Sequence, residues 1–357
     1  MNRIVSFAAG LILVWIIGYL LIAGRGLLVP FIIAIFVWHL LNTFNVALQR
    51  TPIIGARIPQ WLSMVISLTV VAILVKILIN ILTNNVNEVI AASSRYQENL
   101  MNILNTIDNK FHIKLMTNLE HYFQSLSMQR ILLNVTGVFT SITSSAVLIT
   151  LYVVFLFVEQ HFFTQKINAI FPQPGHRQLV NNIINHIVQD TQTYMGLKTI
   201  MSLMTAFSSY LVMKWAGLDF AEFWALLIFF LNFIPNIGAI IATLFPALLA
   251  FIQFHSWWPF IIITSGLILI QFTIGNLIEP RFMGKSLNLS PLVILLALGI
   301  WGAIWGVLGM FLSVPITVML MIIFAHFEAT KPIAILLSQD GHIQKLNERI
   351  VPEYSQA

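Results

Sequence analysis

The sequence predicts an all-α polytopic membrane protein: a transmembrane helix bundle with at least one broken, re-entrant helical hairpin and a small amphipathic helical insert on the outer side. Three observations carry that prediction. Of 357 residues, 58% are hydrophobic and 9% charged, against roughly 25% charged in a soluble domain. Apolar runs near or above the ~20 residues that cross a ~30 Å hydrocarbon core recur along the chain. One of them, FFLNFIPNIGAIIATLFP at 229–246, carries Asn232, Pro235, Asn236, Gly238 and Pro246, residues a plain span would avoid. The ~10-residue alternating segments of a membrane β-barrel are absent from the sequence.

Taken in order, the first apolar run covers 4–24. It exceeds the ~7–15 apolar residues of a secretory signal and reads as the first span. Further apolar segments fall at 27–48, 61–82, 135–158, 197–215, 221–253, 257–279 and 288–328. The segment 221–253 is too long for one crossing, about 50 Å as a straight helix, and too short for two crossings and a turn. A hairpin of two half-helices with its tip at Pro235-Asn236 fits that length. With that hairpin returning to its own side and both termini cytoplasmic, eleven Lys and Arg fall inside and six outside, with Lys76 within a span. This distribution satisfies the positive-inside bias.

The resulting division is 1–83 for N-terminal spans, 84–134 for the outer insert, 135–328 for the transmembrane core and 329–357 for a cytoplasmic tail. In the insert, apolar residues such as Val86, Ile90, Leu100 and Leu104 recur at helical spacing, and its four acids balance its four bases. Such a helix either packs on its own chain or contacts another copy. Leu179, Ile183, Ile187 and Val188 give a second amphipathic helix, expected along or beneath the inner surface. A weak repeat relates 193–250 to 262–319, with Leu226, Leu227 and Pro246 matching Leu295, Leu296 and Pro315. Inverted repeats of this kind place a binding site between broken helices near the midplane.

An amide buried without a partner costs roughly 2–7 kcal/mol, and proline removes a backbone donor. The polar groups of NFIPNIG, 232–238, therefore need protein, water or cargo, because irregular backbone at membrane depth survives only against protein or a wet cavity. Asn232 and Asn236 can turn the tip, bind a polar cargo, or do both. Gly238 supplies close packing or a permissive φ, and Pro246 and Pro315 read as kinks or hinges, joined by Gly306 and Gly309 around the WGAIWGVLG break.

A second constellation is GNLIEPRFMGK, 275–285, with Asn276 preceding it on the path. Pro280 disfavours α geometry at Glu279, so the helix is expected to end there. A carboxylate at a helix C-terminus is opposed by the macrodipole, whereas cations are favoured. Glu279 is thus expected to pair with Arg281, Lys285 or Lys198, either as a structural ion pair or as a cytoplasmic gate. Lys76 can snorkel to the outer interface. His39 reads as a packed span residue and Glu159 and His161 as inner-face anchors, while Trp257 and Trp258 suit an aromatic belt and Trp301 and Trp305 suit a cavity wall.

Several classes are excluded by what the sequence lacks. It has no cysteine, hence no disulfide, thiol catalysis or thiolate metal site. No phosphate-binding loop, metalloprotease or serine-hydrolase motif appears, so neither an enzyme nor a cofactor or metal site is expected. The scattered basic residues form no nucleic-acid patch.

The runs FWALLIFFLNFIPNIGAIIATLFPALLAF and GNLIEPRFMGKSLNLSPLVILLALGIWGAIWGVLGMFLSVPITV resemble the autoinducer-2 exporter family of bacterial membrane proteins. The closing EATKPIAILLS resembles the end of that family's domain, and the likeness is strongest over 195–338 and weakest over the insert. The resemblance implies a multi-pass protein of the bacterial inner membrane that exports autoinducer-2, a furanosyl diol, and assembles as a homo-oligomer in the bilayer. Some relatives resemble sodium/proton antiporters. The expected function is a secondary transporter exporting a small polar metabolite. The alternatives are a sodium/proton antiporter using Glu279, or a non-transporting membrane scaffold acting through the insert.

Overall fold

The computed structural model describes residues 3–50, scattered helical positions from 66 to 105, residue 137, and residues 145–254, 256–283 and 288–341. Every named element is helical: α1 (Arg3–Ala23), α2 (Arg25–Arg50), α3 (Ala146–Ile170), α4 (Pro174–Trp215), α5 (Ala221–Leu231) and α6 (Ile237–Gln253). Then come α7 (Trp257–Phe272), a π-helical turn (Thr273–Ile278), α8 (Glu279–Met283), α9 (Pro291–Trp305), α10 (Val307–Ala325) and α11 (Lys331–Leu337). Three helices, Ala146–Ile170, Trp257–Phe282 and Val307–Ala325, are each long and apolar enough to cross a membrane. The chain divides into two compact units, one made of 1–40, 147–199 and 281–357, the other of 41–146 and 200–280.

Four expectations are corrected. The segments 4–24 and 27–48 were expected as separate crossings, but α1 and α2 meet at Gly24 with a bend of 81°. A bend of 81° falls short of a reversal, so the pair forms a broken span or a re-entrant element. A Cβ at Gly24 would lie 2.9 Å from the Leu20 carbonyl oxygen, which is why the corner is glycine. The amphipathic stretch after PQPG is not a separate surface helix; it is the first half of α4, continuous for 42 residues. No proline interrupts that stretch, and Gly196 alone does not break it. Likewise α3 does not end at Glu159 but runs on to Ile170, with Lys166 bonded to Glu159 on its polar end.

The fourth correction concerns Pro280. Glu279 is αR, at φ −54° and ψ −48°, and the helix continues through Pro280 to Met283. The conflict is absorbed one turn earlier, where Glu279 N–H reaches back to the Ile274 carbonyl in a π-type bond. A widened turn suits a proline that supplies no donor and would crowd the carbonyl four residues before it.

The unit containing 200–280 holds the first hairpin, α5 and α6. Trp224 and Phe245 stack with centroids 6.4 Å apart and planes 12° from parallel. Each lies about two turns from the break, so the arms fold back on one another. The base is also closed: Asp219 N–H donates to Gln253 Oε1 at 2.8 Å, and Gln253 Nε2 donates to the Gly217 carbonyl at 2.9 Å. Phe223, Ile228, Leu249, Ala250, Ile263 and Leu267 bury the arms against α7. Gly266 meets Val212 of α4, whose Cγ1 would lie 2.8 Å from an added Cβ.

The other unit holds a second hairpin, α9 and α10, turned by Gly306 alone at φ 65° and ψ −143°. That backbone region is essentially closed to residues with a Cβ. Trp305 Nε1 donates to the Leu21 carbonyl at 3.1 Å, tying the break to the end of α1. Leu289 and Ser338 form an antiparallel bridge flanked by bonds from Ser290 N–H to Leu337 O and from Gln339 N–H to Asn288 O.

The hairpins share one packing device. An added Cβ at Gly238 would lie 1.8 Å from the Leu231 carbonyl oxygen, and one at Gly309 would lie 1.8 Å from that of Trp301. Backbone cannot yield as a flexible side chain can. Gly238→Ala and Gly309→Ala are each expected to lower stability by about 2 kcal/mol or more in denaturation of the detergent-solubilised protein. Gly299→Ala, with nothing within 4 Å of the new methyl, serves as the control and should leave stability unchanged or slightly raised.

Candidate functional site

The residues of NFIPNIG form the link between α5 and α6, so Asn232, Pro235, Asn236 and Gly238 come together at one hairpin tip. Phenylalanine and aliphatic residues carry the helix to Leu231, and Pro235 then withdraws a backbone donor. The tip satisfies its backbone locally. Asn232 N–H bonds Ile228 O at 2.9 Å, Phe233 N–H bonds Phe230 O at 3.2 Å and Ile234 N–H bonds Leu231 O at 2.9 Å. On the far side, Gly238 N–H returns to Ile234 O at 3.1 Å.

The two asparagines have different roles. Asn232 is buried at 7% exposure, and its Nδ2 donates to Ser202 Oγ at 3.2 Å. Ser202 is itself fully buried on α4. This bond anchors the tip to a neighbouring helix and takes Asn232 away from solvent. Asn236 is exposed, makes no side-chain capping bond to α6, and sits at φ 59° and ψ −59°. Ile237 N–H bonds back across it to Pro235 O at 2.6 Å. That is a γ-turn of the rare, strained hand. Strained backbone persists only where its surroundings over-determine it, and such positions cluster at working sites. The tip therefore offers an amide, with both donor and acceptor capacity, on a backbone held out of its preferred conformation.

Asn276 lies exposed on the π turn, beside Gly275, whose missing side chain leaves open space. Glu279 starts α8 and is half-buried, Arg281 is exposed on α8, and Lys198 is buried at 6% exposure on α4. Lys285 lies outside the described residues. Of the hinge candidates, Gly306 is the break itself, whereas Gly309 is a close-packing position. Pro246 and Pro315 lie buried inside α6 and α10, both of which continue through them. Trp301 and Trp305 contact each other at 5.2 Å.

At the other end of the first hairpin lies a polar joint. Asp219 Oδ2 accepts from Arg95 Nη2 at 2.5 Å and from the Tyr96 hydroxyl at 2.7 Å. Tyr96 is 3% exposed and meets Phe220 edge-on. Burial, followed by the bond to Asp219, pushes its phenol up to about 12, so it remains a neutral donor at any ordinary pH. Lys214 Nζ bonds Glu222 Oε1 at 2.8 Å nearby in sequence.

A helical chain with several apolar spans and two broken hairpins, one of them presenting a strained polar tip, has the build of a membrane transporter. The chain belongs to the AI-2E family of transporters, whose profile it matches over residues 5–329. It is 29% identical over 339 residues to the AI-2 transport protein TqsA of Escherichia coli (strain K12), covering 92% of this chain and 96% of that one. A putative transport protein of Haemophilus influenzae is 28% identical over 326 residues, covering 87% and 90%. A putative transport protein of Borreliella burgdorferi is 33% identical over 219 residues, covering 58% and 59%. The protein is thus a multi-pass membrane transporter.

Sequence reasoning missed Ser202 and the Arg95–Tyr96–Asp219 joint. Ser202 did leave a signal: Ser202, Thr205 and Ser209 lie on one stretch of the apolar α4, and all three are at most 1% exposed. Small hydroxyl residues on an apolar helix mark a close helix contact. The division between the asparagines is testable. Asn232→Ala should cost about 1–3 kcal/mol, as removal of a buried hydrogen-bond partner does. Asn236→Gly, which accepts the positive φ without a Cβ, should leave stability unchanged or raised in the same denaturation assay.

Proposed function

We propose that the protein is a secondary exporter of a small, uncharged polar metabolite, with autoinducer-2 as cargo, and that the cargo passes the tip at Asn236. The exposed, strained Asn236 amide, set in an otherwise apolar hairpin, carries this reading. An amide pairs with hydroxyl groups as both donor and acceptor, which suits a sugar-like diol. The cargo assignment leans on the relative named as an AI-2 transport protein. Asn276, on the π turn, belongs to the same path. Glu279, Arg281, Lys198 and Lys285 serve as an inner gate, with Pro246, Gly306, Gly309 and Pro315 as hinges. Residues 193–250 and 262–319 act as inverted repeats in the bacterial inner membrane, with both termini cytoplasmic and the chain working as a homo-oligomer. In support, each hairpin follows a long helix and a short link.

Efflux of autoinducer-2 from loaded proteoliposomes tests the proposal. Wild type should exceed empty liposomes, and Asn236→Gly should cut the rate at least tenfold without lowering stability in denaturation. Glu279→Gln should leave neutral-cargo efflux largely intact. Sodium-dependent proton movement that disappears in Glu279→Gln, with no efflux of autoinducer-2, would replace the exporter by an antiporter.

A further inference from the structure

Among the described residues of the insert, Arg95 and Tyr96 meet the hairpin's base at the Asp219 carboxylate. Asp219 receives Arg95 and Tyr96 on one oxygen, while its own N–H is held by Gln253, which also holds the Gly217 carbonyl. The short link 216–220 is therefore the common point of α4, both hairpin arms and the insert. Beneath the polar bonds, Tyr96 is buried in the hairpin's own apolar core, with Ala92 packed against it. Phe220, which meets the Tyr96 ring, is held at φ 59°. The joint itself is wet: the Arg95 side chain is 61% exposed and that of Asp219 34%. An ion pair so exposed contributes little to stability, so the hold rests on the buried Tyr96 and its bond to Asp219.

We propose that the stretch bearing Arg95 and Tyr96 is a strap that clamps the base of the first hairpin through Asp219, and that the hairpin moves in the transport cycle only when the strap releases. The insert's basic and aromatic residues at 95 and 96 are then spent within the chain rather than on a partner. Asp219 acts as a positioning residue. The gating half rests on the transport reading above; the clamp does not.

The chain contains no cysteine, so introduced thiols report without background. The first arm uses Ala92→Cys, on the packed face of the insert, and a membrane-impermeant maleimide. Asp219→Asn should raise its labelling rate at least tenfold, Tyr96→Phe should raise it less, and Arg95→Lys should stay within about twofold of the parent chain. Unchanged labelling in Asp219→Asn overturns the clamp. The second arm bridges Arg95→Cys and Asp219→Cys with a short bismaleimide and follows autoinducer-2 efflux. Bridging should slow efflux at least tenfold relative to each single-cysteine chain treated alike. Efflux unaffected by bridging overturns the gate. Absence of efflux in the unmodified chain counts against the transport reading, and the labelling arm still decides the clamp.

Discussion

A peptide group in hydrocarbon has no water to turn to, so every break in a membrane helix must settle its own polar groups. That constraint shapes both hairpins, and they meet it differently. The α9–α10 break spends one residue: Gly306 reverses the chain, its N–H bonds Gly302 O at 2.8 Å, and Met310 N–H bonds Gly306 O at 3.1 Å. Little polar surface is left to present. The α5–α6 break spends five residues and two asparagines. It closes most of its backbone bonds locally, passes Asn232 to Ser202, and leaves Asn236 as the amide that no capping bond uses. A more economical turn was available to this fold, as the second hairpin demonstrates. The extra polar group at the first tip is therefore in excess of what turning the chain requires.

Satisfying the break is one requirement and holding the arms together is another. Lipid tails are as apolar as the arms, so hydrophobicity alone does not drive helices together in a membrane; close packing and hydrogen bonds do. Gly238 and Gly309 supply the approach, each set against the carbonyl of the preceding arm's end. The Trp224–Phe245 stack adds contact area farther along the first hairpin. In α10, Ser313 and Thr317 are buried and turn their hydroxyls onto their own helix at Met310 O and Ser313 O. They add polarity to the interior without leaving a donor unmatched.

What was legible in the sequence follows from range. Asn, Pro and Gly inside an apolar run mark a break because their chemistry acts within a turn of the chain, and both breaks fall where those residues lie. The Pro280 expectation failed because the rule against α geometry before proline describes a regular helix, whereas this helix widens to π over Thr273–Ile278 and passes through. The 81° corner at Gly24 was hidden because a single glycine in an apolar helix has several uses. The Arg95–Asp219 joint spans 124 positions, and no local pattern carries that pairing. Asn232 and Asn236 were alike in sequence; only the facing Ser202 separates anchor from exposed group.

These fastenings also say where the first hairpin can yield. Its tip is pinned to α4 by a buried bond, and its base is closed by Gln253 on Gly217 and Asp219. Parting the arms would expose the stacked rings and break bonds at the base together. Moving the hairpin as one body asks less: change at the link 216–220 and at the extended Phe254 that ends α6. The link already holds two positive-φ residues, Gly217 at 76° and Phe220 at 59°. Small changes at such joints swing whole elements, as hinge motions do. The Asn232–Ser202 bond is both buried and directed at another helix, so its exchange for a new partner is a costly step of any such swing.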